Sequence, residues 1–571
     1  MPAASSQVCA FSISEVKTEL RKLGTGKAAD LMGLTVELLR WGVLFLVSFI
    51  TQCINRACAD GLPEEWTWRG VVPLHKAGPK RDPYNYRTIM VANLFSKLLG
   101  RLLDARLTTW CESSGARASA QAGFRQGFTT IDHALTLRTV MEGARRLKNL
   151  LYVLFVDFAK AFDSIPRIWL WERLLAIGVP QDLVNTIAVL YSRVIVKARP
   201  QGLGVSSTLG VIQGCPLPPC LFGLVIDELF WNNQVTCAVL GDIHVPMLLF
   251  ADDVALIATS QAEMQQHLKG LEDFCSKTSM KVNLAKTLWL QVGSSPGISV
   301  EFQGQPVDKC KVYKYLVVLY GATTWGPSLP KTSWKKLESL QKSFLSEELG
   351  VRSQIPNSLL RAETARLPLG IEALIESITY ARRLRNQASD RYSTQALKAS
   401  RSHGWYADLT RWAARWGLSE SFWDSVDIRE ELTHLVVRKL WHEPSPRQCY
   451  YLRDISPLLP YKEKPYLSIN DRKVRHAFAR FRISAHTLNV EEGRWKNIPR
   501  EDRICSVCTL GKVEDEYHTL LVCPGFSDLR ESFHISATNL KELFALQTLS
   551  LGLFILTVEK ARQLALQNSN V

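Results

Sequence analysis

The stretch MLLFADDVALIA, Met247–Ala258, contains ten apolar residues and two adjacent carboxylates, Asp252 and Asp253. A buried charge costs free energy unless it is paired, so two acidic side chains inside an apolar run need an explanation. Apolar runs of strand length on both sides of the pair predict two short strands joined by a tight turn. Aspartate is also common in turns for purely local reasons, and the pair alone does not distinguish these two interpretations.

A third carboxylate ends another apolar run. The segment LLYVLFVD, Leu150–Asp157, has the pattern of a strand buried on both faces. If it neighbours the hairpin, three carboxylates meet at one sheet edge, where they repel each other unless a cation lies among them. Oxygen ligands suit Mg²⁺, and two such ions about 4 Å apart can activate a hydroxyl and stabilise a leaving pyrophosphate. Because adjacent strand residues face opposite ways, we predict Asp252 as the main ligand and Asp253 as the supporting one.

Composition narrows the class of protein. A chain of 571 residues suits several domains, and 46% hydrophobic with 22% charged residues is an ordinary globular composition. The net charge of +15 favours a polyanionic partner, nucleic acid first and a membrane surface second, although a merely basic protein has the same charge. Thirteen scattered cysteines and no signal-peptide pattern predict an intracellular protein, nuclear or cytoplasmic and not secreted, with no membrane partner.

The order of three motifs carries more information than any one of them. VDFAKAFDS, Val156–Ser164, precedes GVIQGCPL, Gly210–Leu217, which precedes FADDV, Phe250–Val254. This succession resembles the palm motifs of reverse transcriptases of non-LTR (LINE-type) retrotransposons. The resemblance implies an α+β right-hand polymerase with fingers, a palm with an antiparallel sheet, and a helical thumb or connector, followed by a small zinc-binding module.

The resemblance extends along most of the chain. Gly26–Leu39 resembles the family's N-terminal extension, Asn85–Leu107 and Gln121–His133 its fingers, and Val282–Thr287 the motif after the catalytic hairpin, while Tyr313–Leu316 resembles the primer-grip turn. The implied domains are the N-terminal extension at 1–65, fingers at 66–150, palm with primer grip at 151–322, a thumb-like connector at 323–443, and a basic region with the zinc module at 444–571.

The resemblance also implies the roles of single residues. Asp157, Asp252 and Asp253 would hold two Mg²⁺ ions, and Lys286 could protonate the leaving pyrophosphate. Phe162 would lie under the sugar and exclude a 2′-hydroxyl, although a core phenylalanine at a helix start fits the sequence equally well. The remaining nucleotide-binding residues are two cations that would reach the triphosphate and two residues that would form the floor of the site: Lys76, Arg87, Gln213 and Gly214.

Four residues near the C-terminus have the spacing of a metal site. Cys505, Cys508, His518 and Cys523 form C-x2-C-x9-H-x4-C, which suits a structural, tetrahedral Zn²⁺; unrelated core cysteines are the alternative. The flanking sequence resembles the zinc-binding C-terminal region of the same family. Upstream, residues 471–500 carry eight Lys or Arg against three acidic residues, so we predict that this region holds template RNA or target DNA.

The predicted function is RNA-templated DNA synthesis from a primer 3′-hydroxyl, with RNA template, DNA primer or target, and dNTPs as partners. The alternative is a catalytically impaired retrotransposon relic that at most binds nucleic acid, and an RNA-templated RNA polymerase is disfavoured by Phe162. We expect the chain to lack the family's endonuclease. We also expect it to lack part of the thumb, because YKYL at Tyr313–Leu316 runs directly into VVLYGATTW; a naturally short connection is the alternative. Four departures from the family pattern favour the relic: Leu31-Met32 for Pro-Asp, Thr88 for Pro, Ile212 for a basic residue, and Pro218 for Ser.

Local patterns give further expectations. Ser14 is a candidate cap of the first helix, and Ile89–Trp110 has a helical pattern. Gln261–Thr278 has the spacing of an amphipathic helix. A proline-marked break near Pro444–Pro465 predicts that the last hundred residues form a separate unit.

Overall fold

The computed structural model describes residues 10–75, 79–82, 85–197, 202–212, 214–233, 235, 238–240, 242–293, 298–311, 321–352, 354–419, 427–456 and 461–568. The chain divides into two compact units, the first made of residues 1–321 with 387–404 and the second of residues 322–386 with 405–571.

The first unit contains all of the strands that the described residues form. Its helices up to residue 321 are α1 (Ile13–Arg21), α2 (Val36–Trp41), α3 (Val43–Asp60), α4 (Glu64–Thr67), α5 (Leu94–Ser114), α6 (Thr130–Leu147), α7 (Ala161–Ser164), α8 (Arg167–Ala176), α9 (Gln181–Tyr191), α10 (Pro218–Asn232) and α11 (Gln261–Thr278). Its strands are β1 (Trp68–His75), β2 (Tyr86–Ala92), β3 (Leu151–Val156), β4 (Phe158–Ala159), β5 (Ile195–Lys197), β6 (Gly204–Ser206), β7 (Val239–Leu240), β8 (Ile243–His244), β9 (Met247–Phe250), β10 (Asp253–Ala258), β11 (Lys281–Val282), β12 (Leu288–Val292), β13 (Glu301–Phe302), β14 (Gln305–Pro306) and β15 (Asp308–Lys309).

A five-stranded sheet forms the centre of the first unit, in the order β15-β12-β3-β10-β9. Strand β3 pairs antiparallel with both β10 and β12, and all six of its residues are buried, as the continuous apolar run predicts. Helices α6, α10 and α11 pack against this sheet. A second sheet has the strand order β2-β1-β5-β6. Two of its strands precede β3 in the chain and two follow it.

Two local expectations are wrong for identifiable reasons. Ser12, not Ser14, caps α1, because its hydroxyl accepts from the Glu15 N–H while the Glu15 carboxylate accepts from the Ser12 N–H. The predicted helix from Ile89 to Trp110 begins only at Leu94. The segment before it forms β2, whose apolar residues pair with β1, so tertiary pairing overrides the local helical pattern. The amphipathic helix predicted at Gln261–Thr278 has the expected bounds.

The second unit is helical. The remaining helices are α12 (Ala322–Trp325), α13 (Lys331–Glu348), α14 (Asn357–Thr364), α15 (Leu369–Arg385), α16 (Tyr392–Ala399), α17 (Trp405–Ala414), α18 (Ile428–Leu440), α19 (Pro446–Tyr450), α20 (Arg472–Arg482), α21 (Asn489–Trp495), α22 (Ser527–Ser532), α23 (Leu540–Ala545) and α24 (Leu549–Asn568). All of them except α16 belong to the second unit.

The last hundred residues are not a separate unit. One apolar core joins Leu345, Leu359 and Trp441 to Phe478, Phe554 and other residues of the C-terminal region. The predicted division at 443/444 is therefore absent, because the helices on both sides of it bury their apolar faces against each other. Residues 387–404, placed in the thumb-like region by the sequence, belong instead to the first unit.

None of the helices within the described residues combines the length and hydrophobicity that a membrane crossing needs.

Candidate functional site

The two-residue turn of the FADD hairpin has an unusual backbone. Strands β9 and β10 pair Phe250 with Asp253, which leaves Ala251 and Asp252 as the turn. Ala251 has φ of 56°, the left-handed region that a type II′ hairpin turn requires at its first central residue. Gln121, fully buried, accepts a hydrogen bond from the Ala251 N–H at 3.1 Å through its Oε1.

Residues 120–123 support this hairpin from the side. The Leu249 N–H donates to the Ala120 carbonyl and the Ala122 N–H donates to the Leu249 carbonyl, both at 2.9 Å, so this segment extends the pairing of β9. Gly123 approaches the turn so closely that a Cβ atom there would lie 2.2 Å from the Ala251 nitrogen. The backbone of the FADD turn is therefore held by a glutamine and a glycine of the predicted fingers.

The sheet register brings the three aspartates to one edge. Val156 of β3 pairs with Val254 of β10, so Asp157 and Asp253 follow at neighbouring positions where the strands end. Burial, together with the charges of Asp252 and Asp157, raises the pKa of Asp253 to about 6. Three carboxylates whose charges act on one another form a donor set that fits a divalent cation bound through oxygen.

Asn283 holds Asp157 in place, a role that the sequence analysis missed. Its side-chain Nδ2 donates to Asp157 Oδ2 at 3.0 Å, and its backbone N–H donates to the Asp157 carbonyl at 2.7 Å. Thr287 accepts from the Asp157 N–H at 3.2 Å. Asn283 and Thr287 both belong to VNLAKT, the segment after the hairpin. The sequence analysis selected only Lys286 from this motif.

Phe162 lies in α7 with its ring fixed by the palm. It stacks on the fully buried Phe222 of α10, with ring centroids 4.0 Å apart and an interplanar angle of 14°. Its carbonyl accepts from the Val211 N–H at 2.9 Å. Gly210 is needed beside it, since a Cβ there would lie 2.6 Å from the Phe162 oxygen. The ring is half-buried, which leaves part of it exposed.

The structure describes only some of the other residues predicted to bind the nucleotide. Gly214 has φ of 104° and packs against β2, where a Cβ would lie 2.2 Å from the Met90 oxygen. Lys286 is exposed, in a turn closed by its N–H donating to the Asn283 carbonyl at 3.1 Å. The backbone of Arg87 pairs with Leu74. Lys76, Gln213 and the side chain of Arg87 lie outside the described residues, as does the YKYL turn, Tyr313–Leu316.

Asp30 is a second residue that the sequence analysis missed. Its Oδ1 accepts from the N–H groups of Met32 and Leu34, each at 2.9 Å. Its Oδ2 accepts from the Leu94 N–H, at the first residue of α5, at 2.8 Å. This carboxylate therefore ties the N-terminal segment to α5.

The C-terminal cysteines and histidine converge in the second unit. The ligand atoms of Cys505, Cys508, His518 and Cys523 all lie within 4.8 Å of one another. The Cys505 and Cys523 sulfurs are 3.9 Å apart, and the Cys508 sulfur is 3.3 Å from His518 Nε2. A tetrahedral Zn²⁺ with 2.3 Å bonds to sulfur separates two thiolates by about 3.8 Å. The geometry of this donor set therefore fits zinc.

The basic segment upstream of the cysteines is largely engaged within the protein. Arg482, fully buried, pairs with the equally buried Glu363 at 3.1 Å. Five more of its eight cations also form ion pairs: Arg472 with Glu347, Arg475 with Glu348, Arg480 with Glu559, Arg494 with Glu491, and Arg500 with Asp515. These arginines mainly stabilise the second unit, so their number overstated the free positive charge available to nucleic acid.

Comparison with known proteins agrees with this geometry. The family described as reverse transcriptase (RNA-dependent DNA polymerase) matches residues 78–318, a range that contains the three aspartates, Asn283 and the hairpin support. Residues 78–318 are therefore similar to a reverse transcriptase domain. About half of the chain is similar to polyproteins and polymerases of retrotransposable elements.

Three relatives illustrate the match. A Pol polyprotein of a type-1 retrotransposable element R2 from Popillia japonica is 28% identical over 42% of this chain and 34% of the relative. The type-2 element R2DM polyprotein of Drosophila melanogaster is 28% identical over 52% and 26%. A probable RNA-directed DNA polymerase from transposon BS of the same fly is 27% identical over 49% and 32%. The chain thus spans about a third or less of these relatives. An apo telomerase structure from Candida tropicalis aligns with a TM-score of 0.30 at 16% identity, over 48% of this chain and 58% of that one.

Three of the four departures from the family pattern, Thr88, Ile212 and Pro218, lie within residues 78–318. Pro218 lies in the first turn of α10, where the missing N–H of proline has no helical partner to lose. Ile212 is buried with 2% exposure, as an apolar side chain should be. The described fold therefore accommodates Ile212 and Pro218, and Thr88 pairs through its backbone with Pro73.

Proposed function

We propose that this chain catalyses RNA-templated DNA synthesis, adding dNTPs to a primer 3′-hydroxyl. The observation that carries the proposal is the shared sheet edge of β3 and the β9–β10 hairpin, where the charges of Asp157, Asp252 and Asp253 interact. Three carboxylates at one exposed edge repel each other unless a cation lies among them, and two-metal nucleotidyl transfer uses such a set.

The three aspartates would hold two Mg²⁺ ions, which when bound activate the primer hydroxyl and stabilise the leaving pyrophosphate. Asn283 and Thr287 orient Asp157 through its carboxylate and its backbone. Gln121 and Gly123 fix the turn that carries Asp252. Lys286, three residues after Asn283, is our candidate for protonating the pyrophosphate, and the ring of Phe162 is our candidate for excluding a ribonucleotide.

The remaining nucleotide-site roles follow the family resemblance. We propose that Lys76 and Arg87 reach the triphosphate, and that Gln213 and Gly214 form the floor under the template and nucleotide. The right-hand division into fingers, palm and a thumb-like region also belongs to this proposal, together with the loss of part of the thumb.

A structural zinc ion belongs to the same proposal. Cys505, Cys508, His518 and Cys523 would hold it with no open position, so it would stabilise the fold and take no part in the reaction. Because Cys505 and Cys523 also belong to the apolar core of the second unit, the ion would support that whole unit.

Primer extension on an RNA template tests the function. We expect Mg²⁺-dependent extension by the wild-type chain and its complete loss in Asp252→Asn, which keeps the size of the side chain but removes its charge. Asp273→Asn, at an exposed position of α11, is the matched control and should extend normally. Near-normal extension by Asp252→Asn would refute the assigned role, and a wild-type chain without Mg²⁺-dependent extension would favour the nucleic-acid-binding relic.

A further inference from the structure

Arg167, the first residue of α8, occupies a position where a cation is locally unfavourable. The N-terminal end of a helix carries a partial positive charge, and the first turn of α8 contains no acidic residue. The side chain of Arg167 is half-buried, and within the described part of the chain no carboxylate pairs with it. Neither the helix nor an ion pair therefore explains this arginine.

The guanidinium of Arg167 instead binds uncharged oxygens, most of them in the loop formed by residues 207–211. Its Nε donates to the Gly210 carbonyl at 2.9 Å, its Nη1 to the Ser207 carbonyl at 2.7 Å and its Nη2 to the Leu209 carbonyl at 3.1 Å. Nη2 also donates to Ser207 Oγ at 3.2 Å, and Nη1 to the Tyr191 carbonyl at 3.4 Å. Arginine has five N–H groups, and these five hydrogen bonds engage all of them.

The same loop binds the turn that carries Phe162. The Val211 N–H donates to the Phe162 carbonyl at 2.9 Å, and the Gly210 N–H donates to the Ile165 carbonyl at 2.8 Å. A Cβ atom at Gly210 would lie 2.6 Å from the Phe162 oxygen, so the two segments are in direct backbone contact. A shift of the loop is therefore transmitted to the backbone of Phe162.

Two contacts together determine where the Phe162 ring lies. The fully buried Phe222 stacks on the ring, with centroids 4.0 Å apart, and the loop holds the backbone of the same residue. Functional groups have to be held to within about 0.5 Å of their working geometry. A ring that excludes a 2′-hydroxyl by collision therefore depends on the loop as well as on Phe222.

We propose that Arg167 is a positioning residue for the selection of the nucleotide sugar. It holds the loop 207–211 in place, and the loop in turn holds Phe162. Arg167 acts through Phe162 and does not contact the nucleotide, because its donors are already engaged within the protein. This role rests on the proposed polymerase function and adds to it a residue that determines specificity.

A double-mutant cycle between Arg167 and Phe162 tests this role. The quantity measured is the ratio of dNTP to rNTP incorporation efficiency in primer extension. Arg167→Met keeps an unbranched side chain and removes every donor, and it should lower the ratio by about tenfold. In the Phe162→Ala background the same substitution should change the ratio by less than about twofold, because the residue through which it acts is gone. A substitution that only destabilises the fold lowers extension with both kinds of nucleotide and leaves the ratio unchanged.

Two further variants separate the hydrogen bonds from the charge. Arg167→Lys keeps the charge but loses the planar fork of donors, so its ratio should also fall; a wild-type ratio would overturn the proposal. Arg56→Met removes an exposed arginine whose ion pair with Asp60 lies at the surface, and it should keep the wild-type ratio. Thermal melting establishes that each variant is folded. If Arg167→Met does not fold, Ser207→Ala, which removes one acceptor of the guanidinium, should still lower the ratio, and an unchanged ratio would contradict the role.

The outcomes distinguish this role from the polymerase function itself. A wild-type chain that does not extend primers would overturn both. If the wild-type chain extends primers but Arg167→Met keeps the ratio, Arg167 has no part in selecting the sugar and the polymerase function stands. An equal fall of the ratio with and without Phe162 would show that Arg167 does not act through that ring.

Discussion

Ala251 shows how single residues set the geometry of the aspartate edge. A non-glycine residue at φ of 56° costs about 1–2 kcal/mol relative to its ordinary conformations. The surrounding structure must hold it there, and Gln121 and Gly123 do so from a segment more than a hundred residues away in sequence. Strain of this kind is concentrated at functional sites.

Gly123→Ala should displace this turn. Its Cβ would lie 2.2 Å from the backbone nitrogen of Ala251, and backbone cannot yield as a flexible side chain can. We expect primer extension to fall by about 100-fold, the effect of a displacement near 1 Å at a reacting centre. Gly143→Ala, in α6 with open space around its Cβ position, is the control and should stabilise by about 0.5–1 kcal/mol. Equal extension by both variants would contradict the role of Gly123.

Phe162→Ala should weaken the discrimination against ribonucleotides. The Phe222 stack fixes the ring, and its removal takes away the bulk that would collide with a 2′-hydroxyl. We expect the ratio of dNTP to rNTP incorporation efficiency to fall by about tenfold or more. Phe162→Tyr keeps the bulk and should keep the ratio. Unchanged discrimination in the alanine variant would show that Phe162 is a core residue with no role in selecting the nucleotide.

At the scale of elements, the contact between α11 and β10 makes the stability of the first unit depend on pH. His267, fully buried on α11, shares a 3.0 Å hydrogen bond through Nε2 with the Ile257 carbonyl of β10. Burial lowers the pKa of His267 to about 4, whereas an unfolded histidine titrates near 6.5. The unfolded chain therefore binds an additional proton between these values, so stability falls as pH decreases from about 6.5 to about 4.

Replacing His267 with glutamine should reduce this acid sensitivity. Between pH 7 and pH 5, this one group removes about 2 kcal/mol from the unfolding free energy of the wild-type chain. Between the same two pH values, His267→Gln should lose about 2 kcal/mol less unfolding free energy than the wild-type chain. Urea unfolding at both pH values measures this difference. His442→Gln, at an exposed position, should show the wild-type dependence. Parallel pH profiles for His267→Gln and wild type would show that this histidine is not the source.

Elements with a local hydrophobic pattern could be predicted from the sequence. Strands and side chains whose position depends on distant partners could not. The apolar run of β3, the FADD hairpin and the amphipathic α11 were predictable, because each carries its periodicity in its own residues. The end of strand β2, from Ile89 to Ala92, was predicted as helix because its pairing with β1 is tertiary. Asn283 and Asp30 were missed because an amide or carboxylate in a turn reveals its partner only when the chain is folded.

At the scale of the whole molecule, the arginines of residues 471–500 illustrate a limit of counting charges. The sequence suggested a nucleic-acid module. The fold instead pairs Arg482 with Glu363 in the core and uses most of the other cations in ion pairs. Whether a cation is free depends on the complete set of neighbours.

Removing zinc should destabilise the second unit as a whole. Cys505 and Cys523 are part of the core that also contains residues of α13, α14 and α24, and structural zinc sites contribute directly to folding. We expect one zinc per chain by elemental analysis, and a lower melting temperature after chelation or in Cys523→Ser. Cys449→Ser changes an exposed cysteine and should keep both zinc and stability. Metal-free purified protein with an unaltered melting transition would contradict the site.

Helix α16 belongs to the first unit but is synthesised after part of the second unit. Arg391 donates to the Gly127 carbonyl at 2.9 Å and lies 3.9 Å over the Phe128 ring, and α16 itself packs against α6. A ribosome that has released residue 321 has therefore not yet supplied the last helix of this unit. Its surface on α6 stays uncovered until residue 404 emerges, and during that interval a nascent chain exposes apolar surface that chaperones and aggregation partners can reach.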